Sequence, residues 1–413
     1  MGAFGQRVGC QGRLIYVRTG LLMNLFDHYQ ANPSLFQGTP KPLRREVTEV
    51  KNYFKALENF SKVFAIRPGD RVLFLTDPLL DTRVVDAVTG LANARGASVT
   101  QYMATSTTLA GVPDEVKPII EKADFVVSTW FCSIEDPFNV AMRKKGQRWV
   151  KITYFRDLDL LMTAQARFPI ELVGEILRAT VRKIPEHRPF SFVFSDGRGS
   201  HLEIPYTASM RESMFSGNRW RGKMCADEDG CYVHYLPTHG PNFWDSTAMR
   251  NEAPQHIPIN GVLYPQWAIG FEKPFQEKIA VTLKDNLVTE VSGESPDAHL
   301  LREMLMGGKI IEGGGCGFNP QAPKYVIYPA GSNAPGALHF GIDLVKPSDF
   351  IRRVMPNWEE PPVHQDLVIY DATLHAGESL IIDRGHLTAL DDPQVIELAC
   401  RFGDPESILY GEI

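Results

Sequence analysis

His364 and Asp366 are separated by a single residue in the segment PPVHQDLVIYD. Alternate side chains of an extended strand lie on one face, so we expect these two groups to point to the same side. A neutral imidazole and a carboxylate that converge are suitable ligands for a divalent metal such as Fe(II), Zn or Mn. A histidine hydrogen-bonded to a neighbour on one strand face would give the same short pattern, so the pair alone leaves a structural role open.

Two further segments supply groups of the same kinds. In IIEGGGCGFNP, Glu312 ends an apolar run and is followed by four glycines in the next five positions. Such a backbone permits positive φ and a close approach to a bound group. In APGALHFGID, His339 lies inside another strand-like run. Two carboxylates and two imidazoles therefore fall between positions 312 and 366, which predicts a metal site.

Composition and charge limit the classes of partner. Of the 413 residues, 44% are hydrophobic and 22% are charged, which is the balance of a globular protein with a large core. The formal net charge is −6 and no basic block stands out, so nucleic acid is not expected as a partner. No apolar run approaches the roughly 18 residues of a membrane-spanning helix, so no membrane is expected either. Six scattered cysteines without a CxxC pair fit a reducing cytoplasm.

The first part of the chain shows strands alternating with helices. We interpret residues 1–23 as an N-terminal extension that is disordered or mis-assigned, and residues 24–185 as an α/β domain. A turn signal, Pro68-Gly69-Asp70, precedes the first strand, and a helix is predicted at Thr82–Ala94. The predicted strands are Arg71–Thr76, Ser98–Met103, Asp124–Trp130 and Arg148–Phe155. This alternation predicts parallel βαβ units, and the lack of a GxGxxG or GxxxxGK[ST] turn argues against a nucleotide site.

The pattern changes near Phe190. FSFVFSDGRGSHLEI predicts two strands around a glycine-rich hairpin, and KIAVTLKDNLVTEVSG predicts two more that turn at Asp285 and Asn286. These strands favour a mixed or antiparallel α+β metal-binding domain over residues 186–413. Ten of the eleven histidines lie at position 187 or later, so we expect the chemistry in this second domain.

Taken together, these motifs resemble the thermophilic metallo-aminopeptidase (aminopeptidase T) family, in particular its branch similar to 2,5-dihydroxypyridine 5,6-dioxygenase. The shared order is a glutamate followed by G-x-G-x-N-P, then a strand with a histidine, then H-x-D. The resemblance covers mainly residues 186–390 and includes GSHLEIPY, QHIPINGVLYP, GCGFNP and VHQDLVIYD. It implies a metalloenzyme that forms a homo-oligomer.

The resemblance also implies roles for individual residues. His364 and Asp366 match ligands of both branches, whereas His339 matches a further ligand of the aminopeptidases. Glu312 lies near the position of a glutamate ligand in the aminopeptidases and of an iron-binding histidine in the dioxygenase. The first glutamate of the aminopeptidases has no counterpart in IPINGVLYP, and their tyrosine after the strand histidine is missing from HFGIDLVKPSD. A centre with one metal ion is therefore the better interpretation.

The leading hypothesis is a mononuclear non-haem Fe(II) dioxygenase that cleaves a hydroxylated aromatic or N-heteroaromatic ring, such as 2,5-dihydroxypyridine, with O2. Its ligands would be Glu312, His364 and Asp366, with His339 either a fourth ligand or a direct neighbour of the ligands. His256 in QHIPING corresponds to a His-Pro segment that helps the dioxygenase bind its substrate, and it is the first candidate for acid–base catalysis. His201 and His234 follow, although each of the three could be a structural histidine. Aromatic residues that could line a pocket for a flat ring, or form core, are Trp220, Phe243, Trp244, Tyr264 and Trp267.

Two other classes of function remain open. One is a Zn- or Mn-dependent metallohydrolase, either an aminopeptidase or an amidohydrolase, in which His339 completes the ligand set and the metal activates water. The other is a non-catalytic binding protein that has kept the fold and lost its metal. Uptake of metal by the metal-free protein distinguishes this last class from the two enzymes.

Overall fold

The structure is a computed structural model that describes residues 43–104, 112–130, 136–152, 155–235, 241–246, 257–322, 334–345 and 364–411. It also describes the backbone of two short paired strands, Gly9–Cys10 and Arg13–Leu14. Side chains are described from residue 50 onward, except that of His364. Apart from the two short strands, the extension predicted for residues 1–23 lies outside the described residues.

The elements from residue 43 onward are labelled here in chain order. The strands are β1 (Arg71–Thr76), β2 (Ser98–Met103), β3 (Phe125–Ser128), β4 (Arg148–Lys151), β5 (Phe190–Ser195), β6 (His201–Tyr206), β7 (Tyr232–His234), β8 (Asn242–Asp245), β9 (Asn260–Leu263), β10 (Trp267–Ala268), β11 (Ala280–Lys284), β12 (Leu287–Ser292), β13 (Lys309–Cys316), β14 (Leu338–Asp343), β15 (His364–Ile369), β16 (Thr373–Ala376), β17 (Ser379–Asp383) and β18 (His386–Leu387). The α-helices are α1 (Leu43–Phe64), α2 (Thr82–Ala94), α3 (Lys117–Ile120), α4 (Pro137–Lys144), α5 (Ala164–Arg167), α6 (Ile170–Arg182), α7 (Ala208–Phe215), α8 (Pro296–Leu305), α9 (Pro393–Ala399) and α10 (Pro405–Leu409). Short 3₁₀ helices lie at Leu158–Met162 and Thr388–Asp391.

The first sheet is parallel and has the strand order β2-β1-β3-β4-β7. Helix α2 follows β1 and helix α4 follows β3, as expected for βαβ units, so the predicted α/β fold class is confirmed. Strand β7 pairs parallel with β4 at the edge, although it comes from residues 232–234, within the later range 186–413.

Two predicted strands of this sheet are shorter than the sequence suggests. The strand predicted at Asp124–Trp130 spans Phe125–Ser128, and the one predicted at Arg148–Phe155 spans Arg148–Lys151. The ladder between β3 and β4 ends at the pair Ser128–Lys151, so both strands end at this pair. Trp130 and Phe155 are still fully buried, so apolar residues continue into the core after the ladder has ended.

The second sheet is antiparallel throughout, with the order β10-β15-β14-β13-β12-β11-β9-β6-β5-β16-β17-β18, and β8 also pairs with β13. This confirms the predicted antiparallel part of the fold. The hairpin between β11 and β12 turns at Asp285 and Asn286, whose φ values of 49° and 69° are those of a type I′ turn. Strand β6 alternates exposed and buried residues, whereas β14 is buried from Leu338 to Ile342. Strand β14 is therefore covered on both faces, and side chains on it point into the protein.

A buried ion pair joins strand β4 to the residue that precedes β1, and the same arginine also binds the chain just after helix α1. Arg148 donates from Nη2 to Oδ2 of Asp70 at 2.5 Å, and its Nη1 donates to the carbonyl oxygens of Ala65 and Ala226 at 2.9 and 3.0 Å. The side chains of Arg148 and Asp70 are 2% and 9% exposed. Little water can replace these partners, so removal of the arginine leaves a buried carboxylate without its counter-charge.

We expect Arg148→Ala to lower the free energy of unfolding by about 3–5 kcal/mol for this reason. The matched control is Arg71→Ala, because Arg71 also pairs with an aspartate, Asp124, but its side chain is 61% exposed. Loss of that exposed pair should cost less than about 1 kcal/mol. Chemical denaturation followed by tryptophan fluorescence measures both values, and equal losses in the two variants would contradict a special role for the buried pair.

Within the described part of the chain, no helix has both the length and the apolar character needed to cross a bilayer.

Candidate metal centre

Three neighbouring strands carry the ligand candidates. Gly341 of β14 pairs with Glu312 of β13 on one side and with Asp366 of β15 on the other. Cross-strand partners lie on the same face of a sheet, so the two carboxylates share a face with a glycine between them. Because Gly341 has no side chain, the space between the two carboxylates stays open. His339 lies two residues before Gly341 and so points to the same face.

The ligand atoms of Glu312, His339 and Asp366 lie within 4.8 Å of one another. Nε2 of His339 is 3.8 Å from Oε2 of Glu312. Donors bound to one ion at roughly 2.0–2.2 Å are at most about 4.4 Å apart, so small side-chain rotations suffice to bring all three onto one ion. His339 and Asp366 are 2% and 4% exposed, whereas the Glu312 side chain is 24% exposed. Glu312 therefore lies on the open side of the group.

The chemistry of this donor set fits a divalent metal ion. Two carboxylates balance the two positive charges, and a neutral imidazole adds a nitrogen donor. Two carboxylates that converge in a largely buried place repel each other unless a cation or a proton joins them. Among the described residues this is the single group in which three or more such side chains converge. Metal binding by these residues stays a prediction.

Glycines of β13 make room for the imidazole ring. The pairing of β13 with β14 shifts register between Ile310 and Glu312 and again between Gly313 and Gly315, as at β-bulges. Gly314 has a φ of 69°, which favours glycine. A Cβ at Gly315 would collide with Cε1 and Nε2 of His339. The glycine run thus lets the histidine ring lie directly against the backbone of the neighbouring strand.

The remaining predicted ligand and the first acid–base candidate are described only in part. His364 begins β15 opposite Asp343, but its side chain lies outside the described residues. His256 lies wholly outside them. The roles of both residues stay predictions.

The structure does not bring His201 or His234 into the ligand group. His201 begins β6 with an exposed side chain, on the strand face opposite to the buried Leu202 and Ile204. His234 is buried at the end of β7 in the parallel sheet, with Nε2 3.2 Å from Oη of Tyr232. It lines a small cavity of about 20 Å³, the size of one water molecule. An acid–base role for either histidine stays a prediction.

The aromatic residues singled out in the sequence mostly pack in the core. Trp220, Phe243, Trp244 and Trp267 are at most 4% exposed. Trp220 contacts Phe243 with ring centroids 5.3 Å apart, and Trp267 donates from Nε1 to the carbonyl of Phe271 at 2.8 Å. Phe243 and Trp244 approach the glycine run of β13, because each side chain comes within 3.4 Å of a Cβ built on Gly314 or Gly313.

Sequence reasoning missed β8, the short strand on the other side of β13. Asn242 pairs with Gly315, and Asp245 pairs with Glu312, so β8 faces the glycine run directly. Tyr206 fixes this strand by donating its hydroxyl to the carbonyl of Phe243 at 2.5 Å. Burial, together with the charge of Asp245, holds the pKa of Tyr206 well above its usual value, so the phenol stays a neutral donor. The strand NFWD has four residues without clear alternation, which is too short for a periodic signal.

Asn260 belongs to the segment IPINGVLYP, which contains no carboxylate. It lies in β9 and is exposed, and its Oδ1 accepts the N–H of Asp285 at 2.9 Å. The side chain thus supports the β11–β12 hairpin. The number of metal ions at the centre stays a prediction.

The fold and the site define a protein with a parallel α/β unit, a large antiparallel sheet and a candidate metal centre in that sheet. No protein-family model and no curated protein sequence matches the chain. Among solved structures it is similar to 2,5-dihydroxypyridine dioxygenase from Pseudomonas putida KT2440, with a TM-score of 0.57 and 15% identity over 82% of this chain and 97% of that one. It is also similar to wild-type AmpT from Thermus thermophilus, with a TM-score of 0.45 and 12% identity over 81% and 98% of the two chains. The predicted resemblance is thus confirmed, and the likeness to the dioxygenase shows that the fold is shared.

Proposed function

We propose that the protein is a mononuclear non-haem Fe(II) dioxygenase that cleaves a hydroxylated aromatic or N-heteroaromatic ring, with 2,5-dihydroxypyridine as the type of substrate. The observation that carries this proposal is the convergence of Glu312, His339 and Asp366 within 4.8 Å. The fold shared with a dihydroxypyridine dioxygenase supports it. The donor set supports a metal-dependent reaction, since it combines one nitrogen and two anionic oxygens.

A bound ferrous ion would supply open coordination positions for substrate and O2 and a route for electron transfer between them. The protein's part is to hold three donors and leave the other side of the centre accessible. His339 and Asp366 are buried, whereas the Glu312 side chain is partly exposed to solvent. A dioxygenase transfers both oxygen atoms to the ring and takes the electrons from it, so no separate reductant is required.

Proton transfer is the second requirement of this chemistry. A hydroxylated ring binds a metal ion better after its hydroxyl has lost a proton, and a nearby base must accept that proton. In this proposal His256 is the first candidate, because a histidine titrates near neutral pH. His201 and His234 are the further candidates. The small aromatic substrate and O2 are then the partners of the site.

The second candidate function is a Zn- or Mn-dependent metallohydrolase acting on peptide or other amide bonds. Glu312 favours it, because a second carboxylate gives an oxygen-rich donor set that also suits Mn(II) and Zn(II). In that case the metal activates water, and O2 is not needed. The cytoplasmic location and the homo-oligomeric state expected from the sequence stay predictions under either function.

The two candidates differ in what they consume. Protein purified without oxygen and loaded with Fe(II) should consume about one O2 per ring with a dihydroxypyridine, in a panel that also contains hydroxybenzoates and aminobenzoates. An oxygen electrode measures the uptake, and mass spectrometry with ¹⁸O₂ should find both labelled atoms in the product. No uptake with any ring, together with peptide cleavage by the Zn or Mn protein, would reverse the order of the two functions.

A further inference from the structure

We infer that Asn242 supplies a further oxygen donor to the metal centre through its side-chain Oδ1. The inference rests on the proposed function, because it assumes a divalent ion held by Glu312, His339 and Asp366. Asn242 lies on β8, a strand that carries none of these three residues, and it pairs with Gly315 of β13. The centre would then draw on four strands instead of three.

The position of the amide oxygen follows from the geometry at Gly315. A Cβ built on Gly315 would lie 2.5 Å from Oδ1 of Asn242 and still closer to Nε2 of His339. Both atoms therefore flank one point beside the glycine backbone and lie no more than about 4.6 Å apart, a separation that one ion can bridge after small side-chain rotations. Nε2 is also the ring atom that lies 3.8 Å from Oε2 of Glu312. Oδ1 of Asn242 thus lies beside the same ring nitrogen of His339 that faces the carboxylate of Glu312.

The hydrogen-bonding state of this oxygen points to a cation. Oδ1 of Asn242 is buried from solvent and has no hydrogen-bond partner among the described residues. An amide oxygen can only accept, and buried acceptors are nearly always satisfied in native proteins. In the proposed centre, the carboxylate of Glu312 and Nε2 of His339 bind the ion through lone pairs, so neither atom donates a hydrogen to Oδ1. A divalent ion satisfies all of them at once.

The strand that carries Asn242 is held firmly in place. The next residue, Phe243, is fully buried, and its carbonyl accepts the hydroxyl of Tyr206 at 2.5 Å. Trp244 is 3% exposed and packs beside Gly313. The amide therefore faces Gly315 from a strand that is anchored by buried contacts on either side. As a neutral oxygen it adds a donor without changing the charge balance set by Glu312 and Asp366, and it shifts the donor set further toward the hard oxygen ligands that Fe(II) and Mn(II) accept.

Metal binding without turnover tests the inference. Metal-free protein is titrated with Mn(II), and free Mn(II) is followed by its electron paramagnetic resonance signal. Asn242→Ala should weaken Mn(II) binding by about 10-fold or more, since even groups outside the first ligand shell contribute that much. Asn242→Asp should bind at least as tightly as the wild type, because it keeps an oxygen at that position and adds charge. The Co(II) form of Asn242→Ala should also show altered visible absorption, which reports a change of ligand set.

Asp366→Ala serves as the reference that separates the inference from the proposed function. If Asp366→Ala loses Mn(II) while both Asn242 variants bind it as the wild type does, the centre stands and Asn242 is not a donor. If Asp366→Ala binds Mn(II) normally, the centre itself is wrong, and the proposed function fails with it. Should Asn242→Ala not fold, Asn242→Asp decides alone, because weaker binding than in the wild type would overturn the inference.

Discussion

Replacement of Asp366 by alanine should remove metal binding and, with it, ring cleavage. Asp366 is 4% exposed, and it pairs with Gly341 of β14, which pairs in turn with Glu312 of β13. Water and other side chains therefore cannot easily replace its carboxylate. Loss of a group that only hydrogen-bonds to a metal ligand already weakens metal binding by roughly 10–100-fold, so loss of an anionic ligand should weaken it by more than about 100-fold. Elemental analysis after anaerobic loading with Fe(II) measures the effect.

Glu290→Ala is the matched control for this prediction. Glu290 is an exposed carboxylate on β12, the strand next to β13, and it lies outside the group of converging ligands. This variant should keep the metal content and the oxygen uptake of the wild type. Asp366→Asn gives a second variant with nearly the same shape and no charge. Unchanged metal content in both Asp366 variants would remove this residue from the site.

The second large effect is expected from a single added methyl group. Gly315→Ala should either displace the ring of His339 or separate β13 from β14, because the new Cβ would occupy the space of Nε2 and Cε1. Overpacking of this kind costs about 1–3 kcal/mol of unfolding free energy. Metal affinity should fall along with stability, because the histidine cannot keep its position. Thermal denaturation of the metal-free protein and Mn(II) titration measure the two effects.

Gly197→Ala is the control for the added methyl group. Gly197 lies in the turn between β5 and β6, where a Cβ would meet nothing within 4 Å. Its replacement should change the free energy of unfolding by no more than about 0.5 kcal/mol. If Gly315→Ala matches this control in both stability and metal affinity, the glycine run does not position His339.

The parts of the fold with local signals were predicted well. Strands Arg71–Thr76 and Ser98–Met103 and the helix Thr82–Ala94 have the predicted bounds. The Pro-Gly-Asp turn precedes the first strand, and Asp81 starts the helix by accepting the N–H of Arg83. The β11–β12 hairpin turns at the predicted residues, because Asp285 and Asn286 tolerate positive φ.

The parts that depend on distant pairing were not predicted. Strand β7 has three residues and completes a sheet whose other strands end by residue 151. Strand β8 has four residues and can be recognised as a strand only from its pairing with β13, about seventy positions later in the chain. Neither strand is long enough to show a period of two. The sequence therefore offered no signal for Asn242 beside the centre.

Three of the predicted ligand residues, Glu312, His339 and Asp366, converge, whereas the side chain of the fourth, His364, lies outside the described residues. The H-x-D pattern pairs Asp366 with His364, whose positions along one strand are roughly 6.6 Å apart. Groups on adjacent strands approach more closely, to about 4.5–5.5 Å between Cβ atoms. Among the described side chains, the group that converges with Asp366 is made of cross-strand neighbours, Glu312 and His339. The register of β13, β14 and β15, with two bulges in β13, determines which side chains meet, and no local sequence pattern encodes this register.

The central claim is that one divalent ion is held by Glu312, His339 and Asp366. Calorimetric titration of metal-free protein with Fe(II) under anaerobic conditions measures this most directly. The account predicts saturation at one ion per chain in the wild type and no saturable uptake in Asp366→Ala. Saturation at two ions per chain, or no uptake by the wild type, would contradict it.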